Sequence, residues 1–155
     1  MNSCSMNRVV VSMKDLMPLV EERLAAGQEA AITVKGTSMR PFFIDGKTTV
    51  TLSSPSFPIR KYAVILYETG SGAIVLHRVV GRKGKYYRTE GDGLRSCELV
   101  AERSVKAVVT AHETDGKKTE ADDPKYLRRV RLWRFLRPIR YLLLGIARRL
   151  KRWNG

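Results

Sequence analysis

Between residues 30 and 112 the chain runs in short bursts of alternating apolar and polar residues, most of them closed by a turn signal. AAITVKG (30–36), Thr48 to Leu52, YAVILYE (62–68), AIVLHRVV (73–80), KYYRTE (85–90) and RSVKAVVTAH (103–112) read as strands. Asp45-Gly46, TGSG (69–72) and GRKG (81–84) read as turns, and the Pro/Ser-rich stretch before Tyr62 and GDGLRS (91–96) read as loops. Residues 97–102 stay unassigned. Many short strands with tight turns imply a mainly β domain with a rolled or barrel-like sheet.

What flanks this region is different. MKDLMPLVEERLAA (13–26) has a helical period, with Leu16, Leu19, Val20 and Leu24 on one face. Pro18 suits a first turn, which predicts a helix starting near Met17, and Gly27 ends it. HETDGKKTEADD is polar and reads as a mobile linker. From residue 124 onward, apolar residues recur in steps of three and four from Leu132 to Trp153, with Arg131, Arg134, Arg137, Arg148 and Arg152 opposite them. Pro138 is placed to kink or divide that helix. The expected organisation is an N-terminal segment with a helix (1–28), a β domain (29–112), a polar linker (113–123) and a basic amphipathic tail (124–155).

Charge sharpens the division. The chain carries a formal +14, and residues 124–155 hold nine Arg and two Lys without an acid, or +11 of that total. A nearly neutral domain therefore bears a strongly cationic tail. Two cysteines, Cys4 and Cys97, make neither a disulfide framework nor a zinc site, and read as reduced thiols. No metal or cofactor is expected. Val9-Val10-Val11 is too short for the core of a signal peptide, and no apolar run reaches the ~18 residues of a spanning helix. The expected location is cytoplasmic, at the inner membrane surface where the tail meets it.

One short stretch invites chemistry. KGTSMRPFFI (35–44) sets Ser38 in a small polar corner ahead of a proline. A serine hydroxyl is too weakly acidic to attack a carbonyl unless a base takes its proton. The chain has two histidines, His77 and His112, and His77 shares a strand face with Val75 and Val79. Taken singly, Ser38 is a turn serine and His77 a sheet residue.

Taken together, the segments resemble a family. GTSMRP, then RKYAVILY, then VLHRVV, then EGD, in that order, are similar to the signal peptidase and LexA-type serine peptidase clan. The signature Gly-x-Ser-Met-x-Pro is matched by Gly36, Ser38, Met39 and Pro41. Bacterial signal peptidases and LexA-like members place a lysine base before an arginine; the endoplasmic-reticulum branch has histidine in His-Arg-Val, matched by His77, Arg78 and Val79. The likeness covers about residues 29–110. It implies a rolled sheet, Ser38 as nucleophile, His77 as base, and the Ser38 amide as oxyanion donor. Many signal peptidases add a serine hydroxyl two residues before the nucleophile; Gly36 stands there, permitting close approach of a substrate backbone. Thr37 offers a hydroxyl beside it. Asp92 matches the family's Gly-Asp loop and is the candidate to orient His77, with Glu98 the next acid in the direction where the endoplasmic-reticulum enzymes carry theirs. The chain departs from the family at Tyr62-Ala63, where an aspartate usually follows Gly or Tyr, and in showing no N-terminal anchor.

The functional expectation is a serine endopeptidase acting on an extended peptide or protein segment. Its rivals are a non-catalytic peptide-binding or regulatory module on the same fold, and an adaptor acting through the tail. For the tail, with Arg131, Trp133, Arg134, Arg137, Arg148, Arg149, Arg152 and Trp153 as contact residues, an anionic membrane surface is the expected partner. Packing on the domain or on a partner protein, and nucleic acid, are the competing readings.

Overall fold

The computed structural model describes residues 12–153. Eight strands follow one helix and precede two: α1 (Met13–Ala25), β1 (Ala30–Thr33), β2 (Thr48–Ser53), β3 (Val64–Glu68), β4 (Ile74–Lys83), β5 (Tyr86–Glu90), β6 (Cys97–Ala101), β7 (Val105–Thr114), β8 (Lys117–Glu120), α2 (Pro124–Phe135) and α3 (Arg137–Trp153). The strands form one antiparallel sheet in the order β1-β2-β7-β3-β4-β5-β6, with β8 also on β7. β3 pairs with the first half of β7, as far as Val108; β2 pairs from Val108 to Thr114, and β8 takes the side that β3 leaves, from Ala111 onward.

Each face of the sheet carries a core, because alternate residues of a strand point to opposite sides. Val64 and Leu66 of β3 join Val50, Leu52, Val109, Met39 and Phe43, and α1 covers this group through Met17, Val20 and Leu24. Ile65 and Tyr67 face the other way, onto Val79, Tyr87, Val100 and Val105. YAVILYE is accordingly apolar at successive positions rather than alternating: β3 is buried on both faces.

Three expectations are corrected. The helix starts at Met13, not near Met17, because the Ser12 hydroxyl caps it by accepting from the Asp15 amide, and Pro18 is carried inside it. Its buried face runs through Met17, Val20 and Leu24, leaving Leu19 57% exposed. The stretch read as a mobile linker is a hairpin: Asp115 and Gly116 both have positive φ, 51° and 78°, as a type I′ turn requires, and KKTE pairs back on β7. The previously unassigned CELVA segment is edge strand β6. The tail is divided at Pro138, as its sequence suggests, since Pro138 stands in the first turn of α3. No described helix is long and apolar enough to cross a membrane.

Candidate active site

The Ser38 corner leaves β1 through Gly36, whose φ of 86° suits glycine and whose amide donates to Asp45 Oδ1 at 2.9 Å. That bond ties the corner to the Asp45-Gly46 turn and removes the Gly36 amide from the donors free to hold an oxyanion. The Ser38 amide has no partner among the described residues. Thr37 is exposed. Met39 and Phe43 anchor the far side of the corner in the first core.

A second loop supports it from behind. Gly93 donates its amide to the Ser38 carbonyl at 2.9 Å. A Cβ on Gly91 would fall 2.6 Å from that same carbonyl, and one on Gly93 3.2 Å from the Arg40 carbonyl. The glycines of EGDG are therefore needed for close approach of two backbones. Gly91→Ala must push the Ser38 corner outward, with an expected loss of about 1–3 kcal/mol in urea unfolding. A stability equal to wild type would show that the two loops are not in firm contact.

Asp92, between those glycines, does not reach His77. Its carboxylate is bound bidentately by Arg78, Nε at 2.7 Å and Nη2 at 2.6 Å, with both side chains 1% exposed. Adjacent strand residues face opposite ways, so Arg78 and His77 are on different sides of β4. Arg78 also donates to the Tyr62 carbonyl at 2.8 Å and the Tyr126 hydroxyl at 2.9 Å. Burial opposes its charge, but Asp92 and Tyr126 more than offset this and hold the guanidinium protonated. Tyr62 stands at φ 74°, a conformation that costs a non-glycine residue about 1–2 kcal/mol and here aims its carbonyl at Arg78.

On the opposite face, His77 is 8% exposed and its Nδ1 lies 3.1 Å from the Tyr67 hydroxyl. That hydroxyl donates to Glu98 Oε2 at 2.6 Å and accepts from Thr89 Oγ1 at 3.3 Å. A phenol has one hydrogen and a carboxylate can only accept, so the hydrogen goes to Glu98. Tyr67 must then accept from His77, which places the histidine proton on Nδ1 and the lone pair on Nε2. Among the described residues the one buried side-chain nitrogen or oxygen lacking a partner is His112 Nδ1. His77 Nε2 also has no partner among the described residues and is not fully enclosed. The tautomer and the opening are those a general base needs.

Burial lowers the His77 pKa, while Glu98 and then Asp92 oppose the shift through their charges. The ring is neutral at neutral pH. Burial, then Glu98, raises the Tyr67 pKa, so the bridging phenol keeps its proton. Glu98→Gln keeps an acceptor for Tyr67 and removes the charge. Since that charge raises the His77 pKa, its loss should move the His77 titration, followed by NMR, to lower pH. Tyr67→Phe removes the acceptor of Nδ1–H and should shift the ring toward the other tautomer, read from its nitrogen chemical shifts. An unmoved titration in Glu98→Gln would show that Glu98 is not coupled to His77.

The tail packs against this loop with the side that the sequence suggested would face a partner. Arg134 and Arg137 both bind Glu90 Oε2, at 2.9 and 2.8 Å; Trp133 Nε1 donates to the Asp92 carbonyl at 2.8 Å. Burial pushes the Glu90 pKa up, and the hydrogen bonds and charges of the two arginines bring it below its ordinary value. Buried Tyr126 and Val130 complete the contact. These three tail residues are corrected from partner-facing to domain-facing: a helical period shows that the arginines share a side, not what covers it. Arg131, Arg149, Arg152 and Trp153 are exposed, while the Arg148 side chain lies outside the described residues, as does Cys4.

His112 is buried between the Phe43 and Tyr126 rings, its pKa lowered to about 4 by burial and then by Arg78 and Arg129. It is a neutral core histidine. Ser38 Oγ makes no hydrogen bond, to His77 or to any other described residue. A cavity of about 510 Å³ opens between Ser54, Pro58, Val108 and Asp122, and neither Ser38 nor His77 lines it. Tyr67 was the residue missed by sequence reasoning, because in a strand buried on both faces its ring looks like any other core aromatic. No protein-family model matches the chain, and no curated protein does.

Proposed function

We propose that the chain is a serine endopeptidase resembling the signal peptidase and LexA-type clan, with the rolled sheet of that clan, and that it works with a Ser38–His77 dyad. The observation that carries this reading is the Tyr67 bridge, which leaves a neutral histidine with its lone pair on an unpartnered Nε2. In this scheme Nε2 takes the Ser38 proton as Oγ attacks the peptide carbonyl. The Ser38 amide holds the oxyanion. Nδ1–H, already directed at Tyr67, spreads the imidazolium charge toward Glu98, and Nε2–H then protonates the leaving amine. Water, deprotonated by the same nitrogen, releases the acyl group. The substrate is an extended segment lying beside a sheet edge.

One observation favours a second reading, a peptide-binding module without turnover: the Ser38–His77 hydrogen bond is not made. Catalytic hydrogen bonds in free enzymes are often long and tighten only with substrate, so the enzyme reading stands ahead. Mass spectrometry of a peptide library incubated with wild type and with Ser38→Ala separates the two. New termini from wild type alone support the peptidase; bound but intact peptides with both proteins support the module.

A further inference from the structure

α3 presents its apolar side away from the domain. At 100° per residue, Ile139, Leu142, Leu143, Ile146, Leu150 and Trp153 fall within one stripe roughly 100° wide. All six are open to solvent, from 46% for Ile146 to 91% for Trp153. The residues that hold α3 to the domain lie on the opposite side. Arg137 Nη2 donates to the Arg95 carbonyl at 2.5 Å, and the Tyr141 hydroxyl to the Leu94 carbonyl at 3.0 Å. Folding the stripe inward would break those bonds and the Glu90 pairs. The helix is fixed by its polar side with its apolar side out.

Charge selects what covers that side. Exposed Arg149, Lys151 and Arg152 have no ion pair among the described residues, and residues 124–155 contain no acid. A second copy would bring a like-charged helix against the first. Nucleic acid answers the arginines and leaves six apolar residues in water. A bilayer rich in anionic lipid answers both: the stripe enters the acyl boundary, Arg149 at its margin meets phosphates, and Lys151 and Arg152 farther round the helix add attraction to the anionic surface.

We infer that α3 is a membrane-surface helix which docks the folded domain, by its outward apolar stripe, on an anionic bilayer. The inference does not depend on Ser38 chemistry. Its test uses the full chain with vesicles of phosphatidylglycerol mixed into phosphatidylcholine, or of phosphatidylcholine alone, read by flotation and by tryptophan emission. Wild type is expected to float with the anionic vesicles only and to show a blue shift that Trp153→Phe abolishes. Leu142→Glu/Ile146→Glu changes exposed positions, so its circular dichroism should match wild type while binding falls at least about tenfold. Arg149→Gln/Lys151→Gln/Arg152→Gln should weaken binding about 100-fold and flatten its salt dependence. Three results would overturn the inference: no flotation of wild type, flotation unchanged by the two glutamates, or a wild-type dimer in lipid-free solution that the glutamates render monomeric. Nucleic-acid binding of equal strength in wild type and the glutamate variant, without flotation, would assign the tail to that ligand instead.

Discussion

Asp92→Asn should lower the free energy of unfolding by about 3–5 kcal/mol, the largest stability effect expected of any single polar substitution in this chain. Arg78 is 1% exposed and every one of its side-chain hydrogen bonds goes to an acceptor, but only Asp92 supplies negative charge. Asparagine would leave that charge buried and turn an amide donor toward a guanidinium donor. The Phe42 and Tyr126 rings, 5.4 and 5.5 Å from the guanidinium carbon, cannot replace a carboxylate. Urea unfolding should show a lower midpoint at unchanged slope. Arg78→Met/Asp92→Leu should recover most of the loss, because two apolar groups leave nothing uncompensated. A change below ~1 kcal/mol in Asp92→Asn would mean that the pair is not buried as described.

The same network explains why the tail is part of the domain. Tyr126 covers Arg78, Trp133 holds the Asp92 carbonyl, and Arg134 and Arg137 hold Glu90. Those contacts brace the loop on which the Ser38 carbonyl rests.

His77→Ala and Ser38→Ala should each reduce kcat/KM by about 10⁴–10⁶-fold, and the double variant little further, because nucleophile and base act as a unit. Neither change should disturb stability to the same degree as Asp92→Asn, since Ser38 Oγ makes no hydrogen bond and His77 makes one. The pH dependence follows from the histidine. In the proposed dyad activity needs the neutral ring, so it should fall as pH drops through the His77 pKa, and burial places that limb below the ordinary 6.5. A limb above that value would point to a base other than His77.

Much of the sheet was legible because the residues of β1, β2 and most of β7 alternate as half-buried strands do, while β3 and β4 are apolar runs closed by turn signals. Others hid for physical reasons. In β6, Cys97, Glu98 and Leu99 are all exposed at a sheet edge, so no alternation survives. In β8, KKTE is polar throughout and becomes a strand only because the Asp115-Gly116 turn lays it on β7. Ser38, His77 and Asp92 were visible as residue types at a spacing. What each carboxylate does was not, because face and register decide it: Asp92 is one strand-face away from His77, while Glu98 reaches it through Tyr67.

The central claim is that Ser38 is a nucleophile activated by His77. Intact-protein mass spectrometry after treatment with a serine-directed phosphonate tests it without knowledge of the substrate. The account predicts a single adduct on wild type, mapped to the peptide containing Ser38, absent from Ser38→Ala and formed far more slowly by His77→Ala. Equal labelling of all three proteins, or none of wild type, would contradict it.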